Sequence, residues 1–183
     1  MPVSTDCLTD VVEVAFVPTE LGWFGFAMSD ETVLAVTIGD NSEQASRRRL
    51  RQKLTEHNLS SETEAACSET ASRLKQDLQQ FAAGETVDFG RYKVSDEHLT
   101  EFQKKVRRAV RKIPAGKTLS YAEVAQRAGS PRAARAVGNV MAQNRTPIVV
   151  PCHRVLASGG QWGGFTAPGG VDFKRRLLDL EAN

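Results

Sequence analysis

The stretch TPIVVPCHRVLASGG, residues 146–160, sets a cysteine between a proline and a histidine directly behind a β-branched run. That run, short, apolar and rich in valine and isoleucine, reads as a buried strand. If Pro151, Cys152 and His153 continued a regular strand, the cysteine and the histidine would point to opposite faces. They could then form no simple nucleophile–base pair. Either His153 is an ordinary core residue, or the chain turns here and both side chains reach one pocket.

Upstream, the chain is helical and well punctuated. TEFQKKVRRAVRKIP (100–114) puts Phe102, Val106, Val110 and Ile113 on one helix face and stops at Pro114. SYAEVAQRAG (120–129) opens with Ser120 and has Glu123 three residues on, a capping box, and it closes at Gly129. In SPRAARAVGNVMAQN (130–144), Ser130 is expected to cap and Pro131 to fill the first helical position. Two short helices joined by a tight, glycine-containing turn form a helix-turn-helix pattern. Projected on a helix, Ala133, Val137, Val140 and Met141 make an apolar stripe. Opposite lie Arg132, Arg135, Ala136, Asn139 and Gln143. Cations for phosphates, amides for base edges and a small residue against the groove suit a DNA-reading helix.

The first half has a different texture. Val12, Val14 and Phe16 alternate, then Phe24, Phe26 and Met28, then Leu34, Val36 and Ile38. Turn residues fall between them, Pro18 and Gly22 in one gap and Ser29-Asp30 in the other, which predicts a three-stranded antiparallel meander. EQASRRRLRQKL (43–54) and SETASRLKQDLQQFAAGE (68–85) are helical, with the polar stretch 55–67 between them read as a mobile loop. Arg47, Arg48 and Arg49 are expected on a solvated helix face. His57 and Cys67 read as a loop residue and a small helix residue. Residues 84–100, with two glycines and little apolar periodicity, mark the junction between a domain of residues 1–92 and one of residues 93–183.

Charge divides the same way. Residues 1–94 hold 9 basic and 15 acidic residues, a net −6, whereas residues 95–183 hold 15 and 7, a net +8. A basic second half points to a polyanionic partner. Composition is that of a globular protein, 40% hydrophobic and 25% charged. The sequence has no apolar run long enough for a transmembrane helix and no secretory-signal pattern, so a membrane or secreted role is not expected. Three scattered cysteines, Cys7, Cys67 and Cys152, predict free thiols in a reducing compartment. Neither these nor the three histidines, His57, His98 and His153, have metal-ligand spacing.

The residues around Cys152 resemble the signature of the O6-alkylguanine-DNA alkyltransferases, also called methylated-DNA–protein-cysteine methyltransferases. NRTPIVVPCHRV (144–155) carries the resemblance. It extends through GKTLSYAEVAQRAGSPRAARAVG (116–138), GGFTAPGG (163–170) and FKRRLLDLE (173–181). The resemblance implies an α+β chain: a small antiparallel sheet with helices, then a mostly helical domain carrying the acceptor cysteine. It implies direct reversal of DNA damage, with the alkyl group of O6-alkylguanine, or of O4-alkylthymine, moving irreversibly to Cys152. By the same resemblance His153 and Glu181 polarise a water that takes the thiol proton, and Asn144 braces the active-site turn. Tyr121 helps rotate the nucleotide and donates to the base. Arg135 enters the vacated stack. Arg132, Ala134, Ala136, Gly138 and Asn139 complete the DNA face, and Val155, Gly164, Phe165 and Thr166 complete the base pocket with Tyr121. No cofactor or metal is implied, the partner is double-stranded DNA holding the lesion, and the protein is expected to be a cytoplasmic or nucleoid-associated monomer.

Chemistry asks for the same groups. Displacement at an alkyl carbon needs a thiolate, so Cys152 is expected to titrate below the usual value of about 8.5. The departing guanine oxygen needs a donor. A base inside a duplex must be flipped out, at a cost of roughly a few kcal/mol. The sequence departs from the family's usual pattern at Arg145, where a proline is common, at Arg107, where a tryptophan is common, and in the length of the 163–170 loop. Two other chemistries compete. A cysteine hydrolase would turn over through a thioester and has no use for a basic helix. A pure lesion-binding module would have another residue in place of Cys152.

Overall fold

The computed structural model describes residues 12–55, 62–63 and 68–182. Cys7, His57 and Cys67, and most of the stretch 55–67, lie outside them.

Strands β1 (Val12–Thr19), β2 (Gly22–Ser29) and β3 (Thr32–Asp40) pair antiparallel in sequence order, the meander that the alternation predicts. The second hairpin turns through Asp30 and Glu31, both at positive φ (44° and 61°), inside the pair Ser29–Thr32. Positive φ at both central residues is the turn geometry whose twist matches that of the strands. Two register slips with β3 depart from strict alternation, the first between Trp23 and Gly25. Between Ala27 and Met28 the register with β3 slips by one residue, and Leu34 is the extra residue. The bulge puts Leu34 on the face of Ala35 and leaves Val33 with Val36 and Ile38 on the other.

Both faces of this sheet are covered. Helix α1 (Glu43–Thr55) lays Leu50 and Leu54 on Val12, Val14, Ala27 and Ala35. Across the sheet, α2 (Glu69–Ala82), capped by Ser68, packs Leu74, Leu78 and Phe81 against Phe24, Phe26 and Met28. The arginines of α1 do more than face solvent. Arg47 stacks over Phe16 at 4.4 Å, and Arg49 pairs at 2.9 Å with the buried Asp40; Arg48 is exposed. A helix on a narrow sheet has edge positions, and long cationic side chains there reach back over the strands.

Two-residue strands extend the sheet on either side. β4 (Glu62–Thr63) runs parallel to β1, and β5 (Lys93–Val94) runs parallel to β3, giving the order β4-β1-β2-β3-β5.

In the second half, α3 (Glu101–Arg111) starts at a Thr100–Gln103 capping box. β6 (Leu119–Ser120) leads into α4 (Tyr121–Arg127), which starts at the Ser120–Glu123 capping box. α5 is Ala134–Ala142. It begins later than expected. The Ala133 amide closes a turn onto the Ser130 carbonyl at 2.9 Å, with Pro131 in the second position that proline favours, so Ser130 caps nothing and Pro131 precedes the helix. β7 (Val155–Leu156) pairs parallel with β6, and α6 (Gly170–Glu181) closes the structure.

Apolar residues of α3, α4 and α5 make a second core with Val150, Cys152 and Val155. The sheet core also takes residues from the second half: Ile148, Val149, Phe173 and Leu177. The segment 146–151 thus spans two cores. None of the helices is long and apolar enough to cross a membrane, among the described residues.

Candidate active site

The run Thr146–Val150 is not a strand. It coils as successive turns, with the Val150 amide donating to the Thr146 carbonyl at 2.8 Å and Ile148 at φ 72°. A β-branched residue rarely adopts the left-handed region, and such a residue is held only where surroundings over-determine it. Here Ile148 and Val149 are buried in the sheet core while Val150 enters the other. That division is why every residue of the run is apolar or buried, as in a strand, without strand geometry. Asn144 holds the coil together: Nδ2 donates to the Val150 carbonyl at 2.8 Å, and Oδ1 accepts from the Thr146 amide at 3.2 Å.

The chain then makes one tight helical turn, Cys152–Arg154, and passes into β7. Both Cys152 and His153 are buried, and they face different partners. His153 Nε2 lies 2.8 Å from Glu181 Oε1 at the end of α6. Arg154 grips the same carboxylate, Nε to Oε2 at 2.9 Å and Nη2 to Oε1 at 2.7 Å, while its Nη1 donates to the Ile113 carbonyl at 2.6 Å. The Gly116 amide adds a bond to Glu181 Oε2 at 3.2 Å. Gly116 has φ 69°, and a Cβ there would sit 2.9 Å from the Glu181 carbonyl oxygen, so only glycine brings this amide in.

These contacts fix the protonation states. Burial opposes ionisation of Glu181, but the hydrogen bonds and charges of His153 and Arg154 outweigh it and hold the carboxyl down at about 2. An ionised Glu181 accepts, so His153 Nε2 carries the proton and Nδ1 has the lone pair. Burial also keeps the imidazole neutral by pushing its pKa down, against the pull of Glu181. Nδ1 is buried and has no hydrogen-bond partner. The site therefore holds a neutral imidazole with an unused basic nitrogen.

Cys152 does not meet the expectation of a lowered pKa. Burial pushes its thiol up, and the Asn144 hydrogen bond with the charges of Lys174 and Lys53 recovers only part. A low-polarity pocket disfavours a thiolate more than these partners favour it. The resting group is the thiol, which needs a base.

The pairing of β6 with β7 joins Leu119 to Val155 and Ser120 to Leu156, which brings the start of α4, Tyr121, alongside the Cys152 turn. A cavity of about 140 Å³ lies between them, lined by Tyr121, Gly138, Met141, Ala142, Cys152, Gly164, Phe165 and Thr166. Burial and the neighbouring Cys152 raise the Tyr121 pKa, which keeps its hydroxyl a donor. Val155 is not on the cavity wall; its side chain is buried in the core behind, and its carbonyl accepts from Lys174. A wider cleft of about 700 Å³ alongside shares Ala142 and Thr166 and carries Arg49, Lys53, Asn144 and Arg145.

Arg132, in the turn before α5, is exposed; on α5 itself Arg135 and Asn139 are exposed, with Ala134, Ala136 and Gly138 at intermediate depth, while Val137, Val140 and Met141 are buried. Three residues of the site carried no sequence signal. Arg154 supports Glu181. Lys174, 1% exposed within an otherwise charged helix, donates to the carbonyls of Val155 (2.6 Å) and Trp162 (2.7 Å), tying the 156–162 segment to α6. Arg107 is buried on α3 and bonds Thr146. No group of acidic, histidine or cysteine residues among those described could hold a metal ion.

A buried thiol and a neutral histidine–carboxylate pair, on a turn beside a small cavity and behind an exposed basic helix of a helix-turn-helix, define a class. It is a protein that presents a buried cysteine to a small cavity beside a helix-turn-helix. Residues 101–183 match the family model described as the 6-O-methylguanine DNA methyltransferase, DNA binding domain. A methylated-DNA–protein-cysteine methyltransferase of Methanothermobacter thermautotrophicus is 43% identical over 110 residues, 60% of each chain. The fold resembles that of the Mycobacterium tuberculosis O6-methylguanine methyltransferase, with TM-score 0.72 and 29% identity over 94% of this chain and 93% of that one. It is also similar to a structure of Mycobacterium tuberculosis OGT in complex with DNA, with TM-score 0.71 and 31% identity over 93% of each chain. The chain belongs to the O6-alkylguanine-DNA alkyltransferase family. Its alignment spans about three-fifths of the length of the curated relatives it matches.

Proposed function

We propose that this protein repairs DNA by moving an alkyl group from O6-alkylguanine in a duplex to Cys152, once per molecule. The observation that carries the reading is the shared 140 Å³ cavity, in which a buried thiol and a protonated tyrosine face the same space. The recognition helix α5 binds the duplex, with Asn139 on its exposed face and Arg132 in the turn before it, and Arg135 fills the stack when the damaged nucleotide rotates out. The flipped base enters between Tyr121 and the 164–166 segment.

The thiol proton passes to Nδ1 of His153, through a water, and Glu181 stabilises the imidazolium. The Cys152 sulfur forms a bond to the alkyl carbon as the carbon–O6 bond breaks. Tyr121 donates to the base as negative charge develops, and guanine regains one proton. One thiol and one O6-alkylguanine thus become one thioether and one guanine. A thioether has no carbonyl for water to attack, so the product persists.

The same proposal includes a division into a supporting unit, residues 1–92, and a DNA-binding, alkyl-accepting unit, residues 93–183, acting as a monomer wherever the cell keeps its DNA. The test is incubation with a duplex holding one radiolabelled O6-methylguanine, followed by a denaturing gel. Label should move to the protein, and Cys152→Ser should abolish transfer. Retention of transfer in Cys152→Ser would overturn the reading.

A further inference from the structure

Several cations of the outer helix faces pair within their own helix: Arg47 with Glu43, Arg73 with Glu69 and Lys104 with Glu101. One concave surface of the second half is different. A cavity of about 550 Å³ is lined by Lys105, Arg108 and Lys112, from α3 and its C-cap, and by Arg127 and Gly129, from the end of α4 and the turn after it. All four cations are exposed, and no acid lines the cavity. Among the described residues none of the four makes a hydrogen bond or ion pair. The acids of the same helices are engaged elsewhere. Glu101 is held by Lys104 at 3.0 Å, and Glu123 accepts from the Ser120 amide at 2.7 Å in its capping box.

Helix stability does not account for this cluster. Lys105, Arg108 and Lys112 follow one another at i, i+3 and i+7, so they stack along one side of α3, where like charges repel. The helix dipole favours cations in a last turn, which covers Arg108, Lys112 and Arg127. It covers neither Lys105, in the middle of α3, nor the convergence of two helix ends on one concavity. An anion placed there would offset the repulsion of all four.

The position of the cavity suggests which anion. Gly129 is the turn of the helix-turn-helix; a Cβ on it would meet nothing within 4 Å, so the concavity is open at that point. Three residues on, Arg132 is exposed, and Arg135 and Asn139 follow on α5. Positive charge therefore continues from the recognition helix, around the turn, onto α3. In helix-turn-helix docking the helix before the recognition helix crosses the nucleic-acid backbone. No amide, hydroxyl or aromatic side chain lines the cavity, so it fits phosphates, which position a duplex, better than base edges, which specify one.

We propose that Lys105, Arg108, Lys112 and Arg127 form a second DNA-contacting surface, which binds backbone phosphates of the duplex beyond the reach of α5. The inference rests on the duplex binding proposed above and is independent of alkyl transfer.

The experiment measures binding of a fluorescent, unmodified duplex over a salt series by anisotropy. Each lost phosphate contact lowers the slope of log Kd against log salt by about 0.9. Arg108→Gln/Arg127→Gln should therefore lower it by about 1.8, and each single variant by about half of that. Arg48→Gln/Lys75→Gln, the same loss of charge from exposed positions of α1 and α2, should lower it by less than half as much as the patch pair. Reaction of the patch variant with free O6-alkylguanine base should match the wild type. A wild-type slope in the patch variant, or an equal fall in the α1–α2 control, would overturn the proposal. So would an unchanged slope with a less cooperative isotherm, which would seat the acidic half of a second copy on the patch. A lowered slope in a protein whose wild type moves no methyl would support the surface and reject the alkyl transfer proposed above.

Discussion

Replacing Glu181 with glutamine should cost this protein most of a buried ion pair, and the size of the loss can be worked from the site. The Glu181 side chain is 4% exposed and its carboxyl is held at about 2, against an ordinary 4.5. A gap of about 2.5 pH units, at about 1.4 kcal/mol each, corresponds to roughly 3 kcal/mol of folded-state stability at neutral pH. In the variant, an NH₂ group would face the donors of Arg154 or His153, and Arg154 would be left nearly buried without its counter-charge. Breaking such a pair typically costs about 3–5 kcal/mol, in line with that figure. Because the folded pKa is depressed, the contribution is complete above pH 4.5 and disappears as pH falls toward 2. About 1 kcal/mol remains at pH 3. Urea unfolding of wild type and Glu181→Gln, followed by tryptophan fluorescence at pH 7, 5 and 3, reads this directly. The difference should be about 3 kcal/mol at pH 7 and 5 and should narrow at pH 3. In a chain of this length it corresponds to a melting temperature about 6–12 °C lower at pH 7. A difference below about 1 kcal/mol at pH 7, the level of an exposed pair, or one that is the same at pH 3, would refute the account of this carboxylate.

Other perturbations separate the roles of the remaining groups. Tyr121→Phe should slow alkyl transfer by about 10²–10³-fold in single-turnover assays, the usual loss of one donor to developing charge, with DNA affinity nearly unchanged. Arg135→Ala should slow repair of duplex DNA far more than reaction with free O6-alkylguanine base; equal losses would remove it from nucleotide flipping. A Cβ at Gly163 would meet the Tyr121 hydroxyl at 2.8 Å, at a φ of 62°. Gly163→Ala should therefore displace Tyr121 and reduce transfer while the far-UV spectrum stays native.

Much of this was legible in the sequence because the signals are local. The alternation of Val12, Val14 and Phe16, the Ser120–Glu123 box and the two stripes of α5 each lie within a few residues of one another. The turn at Cys152 was legible for a geometric reason, since a strand would have parted Cys152 from His153. Features that depend on distant partners left no such trace. Arg107 sits in a run of cations and looks solvated, but its burial is fixed by Thr146, 39 residues away. Lys174 is buried because two carbonyls of another segment meet it. The TPIVV run looks like a strand since burial on all sides gives the same composition whether the chain is extended or coiled between two cores. The two-residue strands β4 and β5 are too short for any periodicity. The late start of α5 reflects competition between two uses of Pro131, first helical residue or second turn residue, that only the backbone resolves.

The central claim, that Cys152 is consumed by a single alkyl transfer, is tested most directly by stoichiometry joined to peptide mapping. Protein is incubated with a several-fold excess of O6-methylguanine duplex until product formation stops, and the digest is analysed by mass. The account predicts a plateau at one methyl per active molecule, all of it on the fragment containing Cys152. Continued turnover beyond one equivalent, or methyl groups on Cys7 or Cys67, would contradict it.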